Sequence, residues 1–288
     1  GDKLDKPLAL RPTSETAMYP AYSLWIKSHT DLPLKLYQSV QVYRHETKAT
    51  RPLLRSREFL WIESHNVFEN KTNSIKQTEE DNEIFTKVVK NTLGIPFFHL
   101  LRTDSDKFPG AENTYAFDTM LPDGKMLQIG TTHYLGTKFS KTFNIKYLDA
   151  IGNTQLAHQT CYGPGISRIA ASILAIHGDE YGLILPFEIS PTQIIIIPIP
   201  HKDVSQDIME KYTKNIYNSL SKNGFRVNID HSQKTPGEKF YKYDIEGVPI
   251  RIEIGKREII KKQLTIFRRD KREKIIISET DVIMNINA

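Results

Sequence analysis

A strand-like run at residues 55–68, in which charged and aromatic residues occupy every second position, places the tightest limit on what this chain can fold into. Side chains along a β-strand point alternately to its two faces. One face of this run would carry Arg55, Arg57, Phe59, Trp61, Glu63 and His65. Guanidinium groups, a carboxylate and an imidazole cannot all be buried without partners. The pattern therefore predicts a strand that faces a ligand or a dense network of ion pairs.

A second strand-like run, at residues 34–45, precedes the first, and a polar loop at residues 47–54 joins the two. This loop is longer than a tight hairpin turn requires, and such loops are commonly functional or disordered. Arg44 and Glu46 stand where the earlier run enters the loop. We therefore predict an antiparallel hairpin whose open end forms part of a binding site.

The rest of the first part of the chain mixes helical and strand patterns. Helices are predicted at residues 13–29, 73–91 and 165–177 from the spacing of their apolar residues. The segment Pro122-Asp123-Gly124 predicts the turn of a further hairpin. Antiparallel strands interspersed with helices indicate an α+β domain.

A different pattern follows Pro186 and Pro191, which frame a short connector. Residues 193–198 form a continuous β-branched run, typical of a strand buried on both faces, and a helical pattern at residues 203–223 follows it. The strand–helix–strand order predicts a smaller, parallel α/β domain. We expect the two domains at residues 1–190 and 191–288.

The net charge of +5 lies entirely in the part after residue 191. A neutral block followed by a basic block suggests that the second domain contacts a polyanion such as nucleic acid. A solvated basic surface without a partner is the alternative interpretation.

Cysteine usage and hydropathy exclude several classes of protein. The single cysteine, Cys161, excludes a disulfide framework and a Cys-rich zinc site, and it fits a reducing, cytoplasmic setting. Apolar runs are far shorter than the roughly 20 residues that span a bilayer, and no secretory signal is present, so we expect no membrane association. The chain begins without Met, and we expect it to be a fragment of a longer protein.

The hairpin residues Arg44-His45-Glu46 and Arg55 to Glu63 resemble the second signature motif of class II aminoacyl-tRNA synthetases. Further segments resemble prolyl-tRNA synthetases of the archaeal/eukaryotic-like type, in the order expected for that family. These segments are residues 10–16, 50–65, 107–111, 123–133, 177–186, 235–242 and 251–255. The first signature motif, which builds the usual dimer interface, is missing upstream. The resemblance implies the antiparallel sheet of a class II synthetase with flanking helices, followed by an anticodon-binding domain.

The resemblance also implies roles for individual residues. The expected catalytic residues are Arg44 and Arg168. The expected ATP-binding residues are Arg44, Glu46, Arg55, Gln128, Thr131 and Arg168, and the expected proline-binding residues are Thr13, Glu15, Arg44, Phe59, Trp61, Glu63, His65 and His133. The expected partners are L-proline, ATP with Mg²⁺, and tRNA for proline, with a homodimer in the full-length protein. No metal ligand and no protein-bound zinc are expected in this chain.

Two other functions stay open at this point. A threonine-specific class II synthetase has a similar domain plan, but it is disfavoured by the proline-type segments and by the lack of zinc-ligand candidates near the pocket. A non-catalytic, synthetase-like tRNA-binding protein would have no need for three phosphate-binding arginines, Arg44, Arg55 and Arg168. The roles of Thr160 and Ser167 are undecided. Gln128 and His133 would face opposite sides of a regular strand unless Gly130 marks a bulge.

Overall fold

The computed structural model describes residues 2–287, and its contacts divide the chain into two compact units, Gly1–Ile173 and Leu174–Ala288. The boundary predicted between residues 190 and 191 stays a prediction. Within the described residues, no helix is both long and apolar enough to cross a membrane.

The first unit is built on an antiparallel sheet of six strands in the order β1-β2-β8-β5-β4-β3, with β6 and β7 paired separately. Its strands are β1 (Leu34–Tyr43), β2 (Glu58–Phe68), β3 (Phe98–Leu101), β4 (Asn113–Met120), β5 (Met126–Gly136), β6 (Lys146–Leu148), β7 (Thr154–Leu156) and β8 (His158–Pro164). Its helices are α1 (Glu15–Trp25), α2 (Lys71–Phe85) and α3 (Lys138–Phe143), and the unit ends within α4 (Ile166–Ile176). The predicted α+β class and the predicted hairpin β1–β2 are confirmed.

Helix α1 is shorter than the pattern at residues 13–29 predicts, because the backbone at Ile26 is extended. The Asp31 carboxylate then accepts hydrogen bonds from the backbone N–H groups of Lys27 and Ser28, which starts a separate 3₁₀ turn. The helix buries Tyr19 and Tyr22, and the Tyr22 hydroxyl donates to the carbonyl of His65 at 3.0 Å. Helix α1 is thereby fixed against β2.

Helix α2 is capped at its N-terminus by Asn70, whose side chain accepts a hydrogen bond from the N–H of Asn73. Beyond Phe85 the helix continues as a π-helical stretch, Thr86–Thr92. Phe85 is buried and stacks on Phe117 of β4 with ring centroids 4.0 Å apart. A Cβ at Gly130 of β5 would lie 2.7 Å from the Phe85 ring. Because two stacked core rings cannot move away, only glycine lets the helix approach β5 this closely.

The second unit contains a five-stranded sheet in the order β12-β11-β13-β14-β15 and a small pair, β9–β10. Its strands are β9 (Gly178–Asp179), β10 (Gly182–Leu183), β11 (Ile194–Pro198), β12 (Val227–Ile229), β13 (Ile250–Ile254), β14 (Gln263–Arg268) and β15 (Glu273–Ser278). Its helices are α5 (Gln206–Lys222), α6 (Pro236–Glu246), α7 (Lys256–Lys261) and α8 (Val282–Asn287). Strand β11 is buried on both faces as predicted, with Ile194 and Ile196 in one apolar cluster and Ile195 and Ile197 in another.

The expectation that this sheet is parallel throughout is wrong for its last two strands. Strands β12, β11 and β13 are parallel, whereas β14 runs antiparallel to β13, and β15 runs antiparallel to β14. A parallel connection needs a crossover of a dozen or more residues. The short helix α7 and its flanking residues leave too few, so the chain reverses direction instead.

Candidate active site

A cavity of about 260 Å³ opens on the sheet of the first unit. The segment before α1, the loop between β1 and β2, strands β2, β5 and β8, and the start of α4 form its wall. Twelve of the residues predicted from the sequence line it: Thr13, Glu15, Arg44, Glu46, Arg55, Phe59, Trp61, Glu63, Gln128, Thr131, His133 and Arg168. Among the predicted residues, His65 is outside this wall. The structure thus gathers residues that are far apart in the sequence into one place.

The floor of the cavity is built around the carboxylate of Glu63, which is only 1% exposed. It accepts hydrogen bonds from the backbone N–H and hydroxyl of Ser14 and from Gln38 Nε2 at 2.7 Å, and Thr13 Oγ1 lies 3.4 Å away. Its other contact is His65 Nε2 at 3.1 Å. Burial opposes ionisation, but the hydrogen bonds from His65 and Ser14 outweigh it and hold the pKa of Glu63 below its ordinary value.

Glu15 lies beside this floor, where it begins α1, and it is 4% exposed. Its carboxylate accepts from the hydroxyl of Thr13 and lies 3.7 Å from Cys161 Sγ. Burial, and next the charge of Glu15, raise the pKa of the Cys161 thiol well above its ordinary value. A negatively charged group thus lines the cavity next to apolar rings, which suits a small cationic, partly apolar ligand.

His65 departs from its predicted role as a wall of the proline pocket. Its ring is fully buried between the Glu63 carboxylate and the Tyr19 hydroxyl, which lies 3.1 Å from Nδ1. It shares a face with Glu63, as the period of two predicts, but α1 covers that end of β2. His65 therefore positions Glu63 and does not itself reach the cavity.

The opposite wall carries three arginines, Arg44, Arg55 and Arg168. Arg168 donates from Nε to the carbonyl of Leu54 and from Nη1 to the carbonyl of Gln128, both at 2.9 Å. Burial, followed by the nearby charges of Arg44 and Arg55, lowers the pKa of Arg168. Like charges held together in this way favour an anionic ligand between them.

Arg44, one of these three arginines, is also close to the carboxylate floor, since the charges of Glu15 and Glu63 act on it. Its guanidinium carbon is 5.1 Å from the ring centroid of Phe59 and 5.6 Å from that of Trp61. Partial removal from water lowers the pKa of Arg44, whereas the charges of Glu46, Glu15 and Glu63 act in the opposite direction. Arg44 can therefore reach a ligand that touches both ends of the cavity.

Gln128 and His133 both line the cavity because β5 contains a bulge. Phe117 pairs with Gly130 and Asp118 with Gln128, so Ile129 is left without a partner on β4. A bulge is therefore present at Ile129, one residue before Gly130, where the sequence analysis considered one. It brings Gln128 and His133 to the same face of β5. Burial, and then the neighbouring His65, lower the pKa of His133 to about 4, so its ring is neutral at pH 7.

Several residues around the cavity were not predicted. Gln38 stands directly opposite Glu63 in the β1–β2 register, so the hairpin pairing alone could have indicated it. Phe108 lies in a segment that the resemblance covers, and its ring is 4.9 Å from that of His133.

Ser167 and Thr160, whose roles were undecided, differ in their placement. Ser167 lines the cavity, and its hydroxyl accepts a hydrogen bond from the N–H of Leu60. Thr160 is buried, and its hydroxyl accepts a hydrogen bond from the amide of Asn66.

Arg102 is a further unpredicted residue of the wall, and it fixes the orientation of Gln128. Its Nη2 donates to both carboxylate oxygens of the buried Asp118, at 2.8 and 2.7 Å, and to Gln128 Oε1 at 3.3 Å. A guanidinium has only donors, so Gln128 must turn its oxygen towards it. The Gln128 amide nitrogen is left as a donor for the cavity.

Asp81 of α2 supports the back of β5, where Thr132 Oγ1 donates to it at 2.7 Å. Burial raises the pKa of Asp81 to about 6 from an ordinary 3.8, against the hydrogen bonds from Thr132 and Gln77. The folded state therefore binds a proton more tightly than the unfolded state, and Asp81 contributes less stability as pH rises from about 4 to about 6.

We expect the difference in free energy of unfolding between Asp81→Asn and the wild type to shift by about 1 kcal/mol in favour of the variant as the pH rises from 5 to 8. The change is measured by urea unfolding followed by tryptophan fluorescence, because Trp25 and Trp61 are the chain's two tryptophans and both lie in the first unit. Glu83→Gln, an exposed substitution on the same helix, is the control. A difference between Asp81→Asn and wild type that does not vary with pH would contradict the raised pKa.

Comparison with known proteins identifies the family to which this chain belongs. Residues 2–177 match the family described as tRNA synthetase class II core domain (G, H, P, S and T), and residues 193–288 match the anticodon binding domain. The chain belongs to this family of class II aminoacyl-tRNA synthetases.

Within the class, three relatives are named for proline. A proline--tRNA ligase of Thermofilum pendens is 49% identical over 99% of this chain and 59% of its own length, and one of Methanocaldococcus jannaschii is 49% identical over 98% and 61%. A crystal structure of prolyl-tRNA synthetase from Cryptosporidium parvum complexed with L-proline and AMP matches with a TM-score of 0.93 and 37% identity, over 99% of this chain and 61% of that one. The chain spans about three fifths of the length of these relatives.

Proposed function

We propose that this chain contains the catalytic core and anticodon-binding domain of a prolyl-tRNA synthetase. The enzyme activates L-proline with ATP to prolyl-adenylate and then transfers the prolyl group to the 3′ end of its tRNA. The observation that carries the proposal is a single cavity in which a carboxylate floor, Glu15 and Glu63, lies beside a wall of three arginines. Such a cavity matches an amino acid joined to a nucleotide phosphate.

Proline would occupy the floor. Its secondary ammonium group needs charged and polar acceptors, and Glu15 with Thr13 supplies them. Its ring would pack between the apolar side chains of Trp61 and Phe108, with the neutral His133 beside it. The proline carboxylate is then directed towards Arg44.

ATP would lie along the arginine wall. Arg55, which pairs with Glu46 at 2.8 Å, and Arg168 would hold phosphates, while Gln128 and Thr131 lie beside the nucleoside. Because Glu46 is already paired with Arg55, we expect Mg²⁺ to be held mainly by the phosphates. Magnesium would neutralise part of their charge.

In the first step, a carboxylate oxygen of proline attacks the α-phosphorus of ATP, the bond from that phosphorus to its bridging oxygen breaks, and pyrophosphate leaves. Negative charge builds up on the α-phosphate oxygens, and Arg44 is placed to stabilise it while holding the proline carboxylate. A hydroxyl of the terminal ribose of tRNA then attacks the prolyl carbonyl, and AMP leaves. The enzyme forms no covalent intermediate.

The second unit would bind the anticodon region of the tRNA. The positive net charge of the chain lies in its part after residue 191, and Lys261, Lys262 and Lys271 are exposed there. Unpaired bases and phosphates of a tRNA loop suit such a surface. We further propose a cytoplasmic location and a homodimer for the full-length protein, as in the family that the sequence resembles.

Amino-acid-dependent ATP–pyrophosphate exchange tests the proposal, with L-proline and L-threonine compared on this chain and on a version extended at its N-terminus. Exchange with proline supports it. Exchange with threonine alone would overturn the substrate and keep the class. Absence of exchange from both folded versions would favour a non-catalytic tRNA-binding protein.

Arg102 gives a narrower prediction for the nucleotide end. Arg102→Ala frees the Gln128 amide to rotate, and we expect the KM for ATP to rise about tenfold, as for the loss of one hydrogen bond, while the KM for proline changes less than twofold. Arg102→Lys, which keeps a cation beside Asp118, should recover part of the affinity. The KM values come from exchange kinetics, with Lys125→Ala in the exposed β4–β5 turn as the control. Equal effects on both substrates would argue against a role in orienting Gln128.

A further inference from the structure

Three side chains of the kinds that bind metal ions converge beneath the cavity, although they are distant in the sequence. Glu15 begins α1, His65 lies on β2 and Cys161 on β8, and His65 and Cys161 face each other across neighbouring strands in the sheet register. One ligand atom from each lies within 4.8 Å of the other two. Their exposures are 4%, 0% and 7%. The separation of these residues in the sequence is why no metal-ligand spacing was visible there.

Two of the three ligand atoms have nearly the spacing found in a four-coordinate site for a thiophilic ion. In tetrahedral zinc sites, with bonds of about 2.0 Å to nitrogen or oxygen and about 2.3 Å to sulfur, neighbouring ligand atoms are about 3.5 Å apart. Glu15 Oε1 and Cys161 Sγ are already 3.7 Å apart. The ligand atom of His65 lies within 4.8 Å of both, so it would have to move closer to bind the same ion.

The surroundings of His65 also suit a ligand. Its Nε2 contacts the Glu63 carboxylate at 3.1 Å, and its Nδ1 contacts the Tyr19 hydroxyl. Coordination through Nδ1 would replace the Tyr19 hydroxyl by the ion and leave the contact with Glu63 in place, and a carboxylate on the second ring nitrogen is a common partner of a metal-bound histidine. Glu15 and Cys161 line the cavity, so the fourth coordination position is open to water or a small ligand.

We propose that Glu15, His65 and Cys161 bind one thiophilic divalent cation, of the Zn²⁺ or Cd²⁺ class, at the floor of the cavity. A divalent ion would offset the charge of Glu15, in a place where two carboxylates, Glu15 and Glu63, lie close together, and it would replace the proton of the Cys161 thiol. Soft thiolate ligands select such ions over Mg²⁺. The site goes beyond the proposed activity, which needs no metal there.

Cadmium is a suitable probe because Cys161 is the chain's only cysteine. A sulfur-to-cadmium charge-transfer band in the ultraviolet can therefore come from this site alone. We expect titration of the untagged, reduced chain with Cd²⁺ to produce a band that saturates at one ion per chain and that Zn²⁺ removes by competition. Cys161→Ser should abolish the band.

Variants of the other two ligands distinguish coordination by all three side chains from binding by the cysteine thiol alone. Glu15→Gln and His65→Asn keep the cysteine and should each weaken Cd²⁺ binding at least about tenfold. Glu58→Gln, an exposed substitution on the same strand as His65, should bind as the wild type does. Glu15→Gln lies at the cavity surface, so it remains informative if the deeply buried His65 variant does not fold.

Two results would overturn the proposal: no charge-transfer band from folded protein, or unchanged Cd²⁺ affinity in Glu15→Gln. The titration uses no substrate, so it is independent of whether the chain activates proline. Where proline-dependent exchange is observed, Zn²⁺ should raise the apparent KM for proline, and Cys161→Ser should be resistant to this effect. Inhibition that proline cannot relieve would place the ion elsewhere.

Discussion

Replacing Arg44 by alanine is expected to reduce proline-dependent ATP–pyrophosphate exchange about a thousandfold. Arg44 belongs to the arginine wall, is close to the charges of Glu15 and Glu63, and lies against the rings of Phe59 and Trp61. It is therefore the residue best placed to hold the proline carboxylate and the α-phosphate at once. Its loss removes both the alignment of the reactants and the stabilisation of charge in the transition state. Steady-state exchange rates at saturating ATP and proline measure the effect.

Lys35→Ala is the matched control for this prediction. It removes a cation from β1, the strand that ends just before Arg44, but Lys35 is exposed and pairs with Glu80 of α2, away from the cavity. Its exchange rate should stay within about twofold of the wild type, as for most surface changes. If Arg44→Ala retained more than a tenth of the activity, Arg44 would not be the bridging residue. A rise in KM with unchanged kcat would mean that it contributes only to binding.

The second large effect is expected in stability. Glu63→Ala should lower the free energy of unfolding of the first unit by about 3–5 kcal/mol, because it leaves several buried donors unpaired. The buried donors are the backbone N–H and hydroxyl of Ser14 and the imidazole of His65, whereas the half-buried amide of Gln38 keeps its hydrogen bond to Ser14 Oγ. Urea unfolding followed by tryptophan fluorescence at pH 7.5 reports the change.

Two comparisons separate the loss of the carboxylate from general effects of substitution. Glu63→Gln keeps the shape and one acceptor oxygen, so its cost should be smaller than that of alanine. Glu58→Ala removes an exposed carboxylate from the same strand and should cost less than about 0.5 kcal/mol. A cost below about 1 kcal/mol for Glu63→Ala would mean that water replaces the carboxylate and that the hydrogen-bond network is not a stabilising element.

The hairpin and most of the cavity wall could be predicted because they depend on local patterns. The period of two puts Phe59, Trp61 and Glu63 on one face, and the structure places all three at the cavity. The same rule includes His65, but it cannot show that α1 covers that end of the strand. What lies over a strand depends on tertiary packing, which a local pattern does not contain.

Residues that belong to the cavity through pairing between strands were missed for the same reason. Arg102 meets Asp118 and Gln128 only because its segment follows the edge strand β3. Strand β3 pairs with β4, and β4 pairs with β5. Cys161 meets His65 only through the β2–β8 register. The mixed sheet of the second unit is not predictable from the sequence either, since β14 carries only a weak alternation. In each case the missing information was which strands are neighbours.

The network around Glu63 has a consequence for how specificity can change in this protein. The residues that would contact the amino acid, Thr13 and Glu15, are joined through Glu63 to the buried interior of β1 and β2. A substitution that reshapes the pocket for another amino acid would therefore also weaken the fold. New specificity would have to evolve, or be engineered, together with stabilising changes elsewhere in the first unit. The stability of the first unit thus restricts which changes of amino-acid specificity are accessible by mutation.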